Sequence, residues 1–180
     1  GLFLVGPAFL PVLLSSQAVA GEKEKRTIEP LLASPAQELE ILAGKSLAAV
    51  LPSVAINWVF FVLFAVVTDL MVYPSLGRIL VPDGAWLFGM GVLAPLLSLL
   101  GNGIAVAISA RVNDPRLAQQ LAGICVLPIL GGAAGAALVA SRYGGWVHLC
   151  TALVLVLLNY FVLKVAVVGF DRERILTRWG

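Results

Sequence analysis

Five long apolar stretches dominate the sequence and leave few folds open to it. They cover about residues 2–20, 46–67, 85–110, 117–140 and 146–170. Each reaches the roughly 20 residues that an α-helix needs to cross ~30 Å of hydrocarbon. Transmembrane β-strands require alternation with a period of two, whereas these stretches are apolar without interruption. The sequence therefore predicts an all-α, polytopic transmembrane bundle of about five spans.

The composition agrees with a chain whose main solvent is lipid. Hydrophobic residues make up 60% of the chain and charged residues 12%, against roughly a quarter charged in soluble domains. The 180 residues accommodate the spans and short connections, so we expect one transmembrane domain over 1–180 and no soluble domain. Because Gly1 opens an apolar stretch with no basic residues before it, we interpret the chain as N-terminally incomplete rather than as beginning with a signal peptide.

Basic residues are concentrated in alternate connections. Positive charge marks the cytoplasmic side of membrane proteins. Nine of the 12 Lys and Arg residues fall between spans one and two, between spans three and four, or after span five: Lys23, Lys25, Arg26, Lys45, Arg111, Arg116, Arg172, Arg174 and Arg178. We therefore predict a multi-pass protein of the inner (cytoplasmic) membrane with a cytoplasmic C-terminus.

The connection over residues 21–45 combines charge with helical periodicity. Ile28, Leu31 and Leu32 lie at i, i+3 and i+4, which predicts one apolar face of a short helix. Ser34 and Pro35 are typical of an N-cap and first helical position. Periodicity leaves two readings open: an amphipathic helix at the membrane interface, or an element that docks into a groove on a soluble partner.

Two connecting segments resemble those of a known family. Glu24-Lys-Arg-Thr-Ile-Glu-Pro-Leu-Leu-Ala-Ser-Pro, followed by Glu40-Ile-Leu-Ala-Gly-Lys, resembles the cytoplasmic loop of type-2 ABC transporter permeases. Ile108-Ser-Ala-Arg-Val-Asn-Asp-Pro-Arg-Leu-Ala-Gln-Gln-Leu resembles a second loop of the same family, and the tail from Phe170 resembles its basic ending. The sodium-extrusion and multidrug exporter branch is the nearest match.

This resemblance implies a permease subunit that pairs with a cytoplasmic ATPase and with a second permease copy, identical or different. ATP and Mg would bind the ATPase, and this chain would bind no cofactor or nucleic acid. The loop would contain the coupling helix. Its implied partner-binding residues are Glu22, Lys23, Glu24, Lys25, Arg26, Thr27, Glu29, Leu31, Leu32, Ser34 and Pro35.

Polar and small residues within the spans suggest further sites. Asn57, Asn102 and Asn159 are expected to face the bundle interior, where they would either bond neighbouring helices or line a translocation path. Gly131 and Gly135 have the spacing of small residues that let helices approach closely, within the bundle or between two copies.

Neither a catalytic nor a metal site is expected. No Ser/His/Asp set or carboxylate pair occurs within the spans, which argues against a membrane enzyme. A stand-alone secondary transporter or channel is the alternative function. It would require midplane charges or an internal repeat, and we find neither in the sequence.

Overall fold

The structure is a helical bundle, as the sequence predicts. The computed structural model describes residues 5–16, 38–77, 79, 81–112 and 114–169, and within them every regular element is helical. The helices are α1 (Val5–Ser15), α2 (Glu38–Leu76), α3 (Gly84–Phe88), α4 (Ala94–Ser109), α5 (Pro115–Tyr143) and α6 (Trp146–Gly169). A π-helical turn over Gly89–Leu93 joins α3 to α4. The predicted all-α membrane bundle is confirmed.

Four helical stretches are long and apolar enough to cross a membrane. They cover Ala43–Ser75, Gly84–Ser109, Pro115–Ala140 and Trp146–Ala166. The helix in the first predicted span, α1, has 11 described residues. It is shorter than the expected 2–20, and the neighbouring residues on both sides lie outside the described part of the chain.

Helix α2 extends beyond its predicted span of 46–67 at both ends. Its 39 residues give a length of about 58 Å, nearly twice the ~30 Å thickness of the hydrocarbon core. Either the ends of α2 therefore project out of the hydrocarbon core, or the whole helix is steeply tilted in the membrane.

The stretch from Gly84 to Ser109 changes its hydrogen-bond pattern before Pro95. Proline has no backbone N–H and its ring clashes with the carbonyl four residues earlier. The π-helical turn resolves this because the Ala94 N–H bonds the Gly89 carbonyl five residues back. The chain therefore continues from α3 into α4 without a break in the span.

Short turns and pairwise contacts fix the relative directions of the helices. Asp114 accepts a hydrogen bond from the Arg116 N–H (2.8 Å) and caps α5. Gly144, with φ of 96°, ends α5 in a conformation that favours glycine. Helix α5 consequently runs antiparallel to both α4 and α6.

The bundle has two chemically different ends. At the "basic end", α1 finishes and α2 begins, Arg111 follows α4, and Arg116 lies in the first turn of α5. At the "tryptophan end", α2 finishes and Trp86 and Trp146 lie in the first turns of α3 and α6. Helices α1, α4 and α6 all run from the tryptophan end to the basic end, and α2 and α5 run the other way.

Helix α4 is the centre of the bundle. It contacts α1, α2, α5 and α6, and 61% of the apolar segment within Gly84–Ser109, the stretch that contains α4, is buried, against 28% for that within Ala43–Ser75. The largest fully buried side chains include Leu97, Leu100 and Val106 of α4 and Val12 of α1. The surrounding helices expose their remaining apolar side chains outward, as expected for helices solvated by lipid.

Candidate functional site

Polar side chains inside the bundle form a seam between α1 and α4. The Ser98 hydroxyl donates to the Pro7 carbonyl (2.9 Å). The Ser15 hydroxyl donates to Asn102 Oδ1 (2.6 Å), and the Ser109 hydroxyl donates to the Ser16 carbonyl (2.8 Å). All three bonds are buried. We call these three contacts the polar seam.

Two bonds of the polar seam satisfy backbone carbonyls that α1 itself leaves without a donor. Pro11 lies inside α1 and has no N–H for the carbonyl of Pro7. Ser16 follows the last residue of α1, and carbonyls at the C-terminal end of a helix have no N–H partner within the helix. Inside a membrane such groups must be satisfied by protein, and the hydroxyls of Ser98 and Ser109 do so.

Close backbone approach accompanies the polar seam. A Cβ placed on Gly101 would lie 2.4 Å from the Ala8 carbonyl oxygen, and one on Gly103 would lie 2.8 Å from a methyl carbon of Val162. Both distances are well inside van der Waals contact. The Gly101 contact is with backbone, so this position requires glycine for α1 to pack against α4, whereas a side chain at Gly103 would require the Val162 side chain of α6 to shift. The structure thus places both glycines at contacts between helices.

Asn159 attaches α6 to α4. Its amide Nδ2 donates to the Leu96 carbonyl on α4 (3.0 Å) and to the Leu155 carbonyl in its own helix (2.8 Å). The side chain is 8% exposed. Of the two roles considered for this residue, the structure displays a bond to a neighbouring helix; the path-lining role stays a prediction.

Asn57 has a weaker partner than the other two asparagines. Its Nδ2 lies 3.6 Å from the Met90 sulfur, and thioether sulfur is a weak acceptor. On the other side, its Oδ1 lies 3.1 Å from where a Cβ on Gly6 would be. Asn57 therefore lies where α1, α2 and the π-helical turn meet, with the weakest polar bond of the three asparagines.

Gly131 and Gly135 lie on an open face of α5. A Cβ on either residue would meet no atom within 4 Å. Close packing at these two glycines, within the bundle, stays a prediction; among the described residues, close approaches occur at Gly101 and Gly103. A contact of this face with a second copy stays a prediction.

A groove of about 340 Å³ lies between α5 and α6. Gly132 and Ala136 line it on one side, and Cys150 and Val154 on the other. The hydroxyl of Thr151, which also lines it, bonds the Val147 carbonyl of its own helix (2.9 Å). The groove offers mainly apolar surface.

The titratable groups of the described segments lie near the bundle ends or on its surface. Lys164 places its ammonium 4.7 Å from the centre of the Tyr160 ring, a cation–π contact toward the basic end of α6. The ring of His148 lies 6.2 Å from that of Phe88 at the tryptophan end. Among the described residues, no three of His, Cys, Asp and Glu come together as a metal site.

The residues predicted to bind an ATPase all lie outside the described part of the chain. This applies to Glu22, Lys23, Glu24, Lys25, Arg26, Thr27, Glu29, Leu31, Leu32, Ser34 and Pro35. The structure does describe both helices that flank them: α1 ends at Ser15 and α2 begins at Glu38.

Comparison with known proteins identifies the family. The family model described as ABC-2 family transporter protein matches residues 2–140. No curated protein and no solved structure matches the chain significantly. Because the family match covers most of a chain that folds into apolar helices able to span a membrane, the protein is a multi-pass membrane protein that belongs to the ABC-2 transporter family.

Proposed function

We propose that this chain is the permease subunit of an ATP-driven exporter of the cytoplasmic membrane. A separate cytoplasmic ATPase subunit would bind ATP and Mg and hydrolyse the nucleotide. The chain would pair with a second permease copy, identical or different, and would itself catalyse no reaction. The observation that carries this proposal is the ABC-2 family match over residues 2–140, which includes the charged segment between α1 and α2.

The position of that segment supports a coupling role. It joins the end of α1 at Ser15 to the beginning of α2 at Glu38, and both helices contact the central helix α4. A pull on the segment therefore acts directly on two helices of the bundle. ATP-driven approach of two ATPase subunits would supply that pull, and the bundle would respond by opening a path toward the opposite side.

We assign two roles within the coupling segment. Thr27, Glu29, Leu31 and Leu32 would insert into the ATPase, since buried contacts near the centre of an interface supply most of its affinity. The remaining partner-binding positions would lie at the rim, where charges affect orientation and association rate more than affinity. The rim positions are Glu22, Lys23, Glu24, Lys25, Arg26, Ser34 and Pro35.

The turn between α4 and α5 would form a second contact with the ATPase. Arg111 and Arg116 are exposed there, and the Arg111 guanidinium bonds the Ala107 carbonyl at the end of α4 (3.1 Å). Asp114 is held in place as the cap of α5. This turn thus presents charged side chains at the end of the bundle where α1 finishes and α2 begins.

Of the three asparagines proposed for the translocation path, Asn57 is the strongest candidate. A path-lining group must exchange its protein contact for substrate or water. Asn57 exchanges an N–H···S contact of 3.6 Å, whereas Asn102 and Asn159 would have to release bonds of 2.6 Å and 3.0 Å.

The experiment is co-purification of the permease with candidate ATPase subunits, followed by ATP-dependent transport in vesicles. Leu31→Asp/Leu32→Asp should weaken ATPase binding about 30-fold or more, as loss of a buried interface anchor does. Ile79→Asp is the matched control. Ile79 is 71% exposed and lies at the tryptophan end, in the connection between α2 and α3.

Two results would contradict the proposal. One is unchanged ATPase binding and transport in the doubly substituted protein. The other is transport by the permease alone, driven by a proton gradient without ATP, which would establish the secondary transporter instead.

A further inference from the structure

We infer that the groove between α5 and α6 binds one acyl chain of an anionic phospholipid, and that Arg142 binds the phosphate of the same lipid. The lipid belongs to the leaflet at the tryptophan end. It is a bound component of the bundle and not the exported substrate, so the inference goes beyond the proposed function and does not depend on an ATPase partner.

Small side chains on α5 create the groove. Gly132 and Ala136 lie one helical turn apart and line it. A Cβ on Gly132 would meet no atom within 4 Å, so the space beside this residue is open. Ala133 and Leu155 of the lining are buried, whereas Val154 is exposed. The groove therefore has a floor inside the bundle and opens toward the outer surface, where lipid lies.

The length of the groove matches one leaflet of a bilayer. On α6 its lining extends from Val147 to Leu158, which is about 16 Å of helix. Half of the ~30 Å hydrocarbon core is about 15 Å. Val147 is the second residue of α6, so the groove begins at the tryptophan end and finishes near the middle of the span. An acyl chain of that leaflet covers the same depth and can enter the groove sideways from the bilayer.

The lining gives a polar occupant little to bind. Apart from Cys150 and Thr151, its side chains are apolar. The Thr151 hydroxyl already donates to the Val147 carbonyl of its own helix, and a thiol is a weak hydrogen-bond donor. Hydroxyl or charged groups of a solute would lose their hydrogen bonds in this groove, which is costly. An acyl chain has no such groups, and the surrounding bilayer supplies it.

A cation lies at the level where the groove begins. Arg142 is in the last turn of α5 and is exposed. Because only Gly144 and Gly145 separate α5 from α6, Arg142 and Val147 lie at about the same level. No described residue forms an ion pair with the Arg142 guanidinium. It is therefore available to a phosphate group, which guanidinium binds through two parallel hydrogen bonds.

The surroundings of Arg142 favour a lipid phosphate over a carboxylate of the bundle. Asp69 and Asp83, the described acids of the tryptophan end, each already accept a hydrogen bond from a backbone N–H (3.1 and 3.0 Å). The Trp146 indole donates to the Tyr143 carbonyl (2.8 Å), and tryptophan rings concentrate at the level of lipid headgroups. A phospholipid thus places its phosphate at the cation and its chain in the groove.

The test uses the full-length permease in phosphatidylcholine vesicles that contain a trace of phosphatidylglycerol with a photoreactive group in one acyl chain. After illumination, mass spectrometry identifies the labelled peptides, which should be those that line the groove. Unlabelled phosphatidylglycerol should compete about fivefold better than phosphatidylcholine, the preference expected from one basic residue near the membrane surface. Inorganic phosphate should not compete, because it has no chain to occupy the groove.

Adjacent glycines provide a matched pair of variants for the groove. Gly132→Leu should fill it and lower its photolabelling about fivefold or more, since a lipid chain beside the new side chain would be overpacked. Gly131→Leu is the control: Gly131 does not line the groove, and a Cβ there also meets no atom within 4 Å. Its photolabelling should stay unchanged. Equal labelling of the two variants would contradict the acyl-chain site.

Arginine variants test the headgroup contact separately. Arg142→Gln should abolish the fivefold preference for phosphatidylglycerol, while photolabelling of the groove persists. Arg142→Lys should retain the preference, because an ammonium group also attracts phosphate. Arg78→Gln makes the same charge change in the connection between α2 and α3 and should have no effect. A preference that survives Arg142→Gln would contradict the role of Arg142.

Two labelling patterns of the wild-type protein would overturn the inference without any variant. Labels distributed evenly around the bundle would mean that lipid touches the groove only as solvent. A groove that stays unlabelled while neighbouring outward surfaces are labelled would mean that a second copy or another protein covers it. Neither pattern bears on ATP-driven transport, so failure of this inference and failure of the proposed function are distinguishable.

Discussion

Helices α1 and α2 are joined by one segment and contact the same central helix, yet they are held there by different forces. Helix α1 contains two prolines in its described part and bonds α4 through buried hydroxyl and amide groups. Helix α2 has 39 residues and packs mainly through apolar side chains. In lipid, apolar contact has little directional preference because lipid tails compete equally well. Polar bonds and close backbone contact therefore fix α1 against α4, whereas α2 is held mainly by apolar packing.

Gly101→Ala should produce the largest effect. Its Cβ would lie 2.4 Å from the Ala8 carbonyl oxygen, so α1 must move away and the polar seam must lengthen. We expect a loss of about 3 kcal/mol of unfolding free energy, at the upper end of the overpacking range, measured by thermal unfolding in detergent. Gly135→Ala is the matched control, since a Cβ there meets open space and alanine favours the helix by up to about 1 kcal/mol. Equal destabilisation by both would disprove the close approach of α1 and α4.

The number and position of the apolar helices could be predicted from the sequence because spanning a membrane depends on local composition. Helix ends were less predictable. Asp114 caps α5, which explains why this helix begins two residues before its predicted span. The ends of α2 contain charged and polar residues that a hydropathy criterion excludes, although they continue the helix.

The polar seam could not be predicted because it depends on which helices are neighbours. The sequence identifies Asn102 as a buried polar residue, but its bond to Ser15 joins positions 87 residues apart. Ser98 and Ser109 were missed for the same reason. One local signal exists: Pro11 removes the donor for the Pro7 carbonyl, which predicts that some other helix must supply a hydroxyl or amide there. The residues of the coupling segment lie outside the described part of the chain, so their assignment stays a prediction.

Asn102→Ala and Asn57→Ala compare the two attachments directly. Both asparagines are buried, at 2% and 5% exposure. Asn102→Ala leaves the Ser15 hydroxyl without its acceptor and should destabilise the protein by about 2 kcal/mol, whereas Asn57→Ala removes only a weak sulfur contact and should cost about 1 kcal/mol or less. Urea or detergent unfolding of the two variants measures the difference. A larger loss for Asn57→Ala would reverse our ranking of α1 and α2.

Ser98→Ala tests whether the Ser98 hydroxyl compensates for the N–H that Pro11 cannot supply to the Pro7 carbonyl. It leaves the Pro7 carbonyl without a donor in a buried site and should destabilise the protein by about 1.5 kcal/mol. Replacing Pro11 by Ala supplies a backbone N–H four residues after Pro7, within the same helix. In the Pro11→Ala background, Ser98→Ala should therefore destabilise by no more than about 0.5 kcal/mol. Additive effects in this double-mutant cycle would show that Ser98 does not compensate for Pro11.

Ser53→Ala should have the smallest effect, although Ser53 and Ser98 are equally buried at 0% exposure. The Ser53 hydroxyl bonds the Ala49 carbonyl of its own helix, and that carbonyl already faces the Ser53 N–H as its regular helical donor. Removing the hydroxyl thus leaves no backbone group unsatisfied and breaks no contact between helices. We expect a change within about 0.5 kcal/mol, measured beside Ser98→Ala under the same conditions. Suppose instead that Ser53→Ala lowers the unfolding free energy as much as Ser98→Ala. The contribution of a buried hydroxyl would then depend on its burial and not on which helix it bonds, and the distinction between the attachments of α1 and α2 would no longer hold.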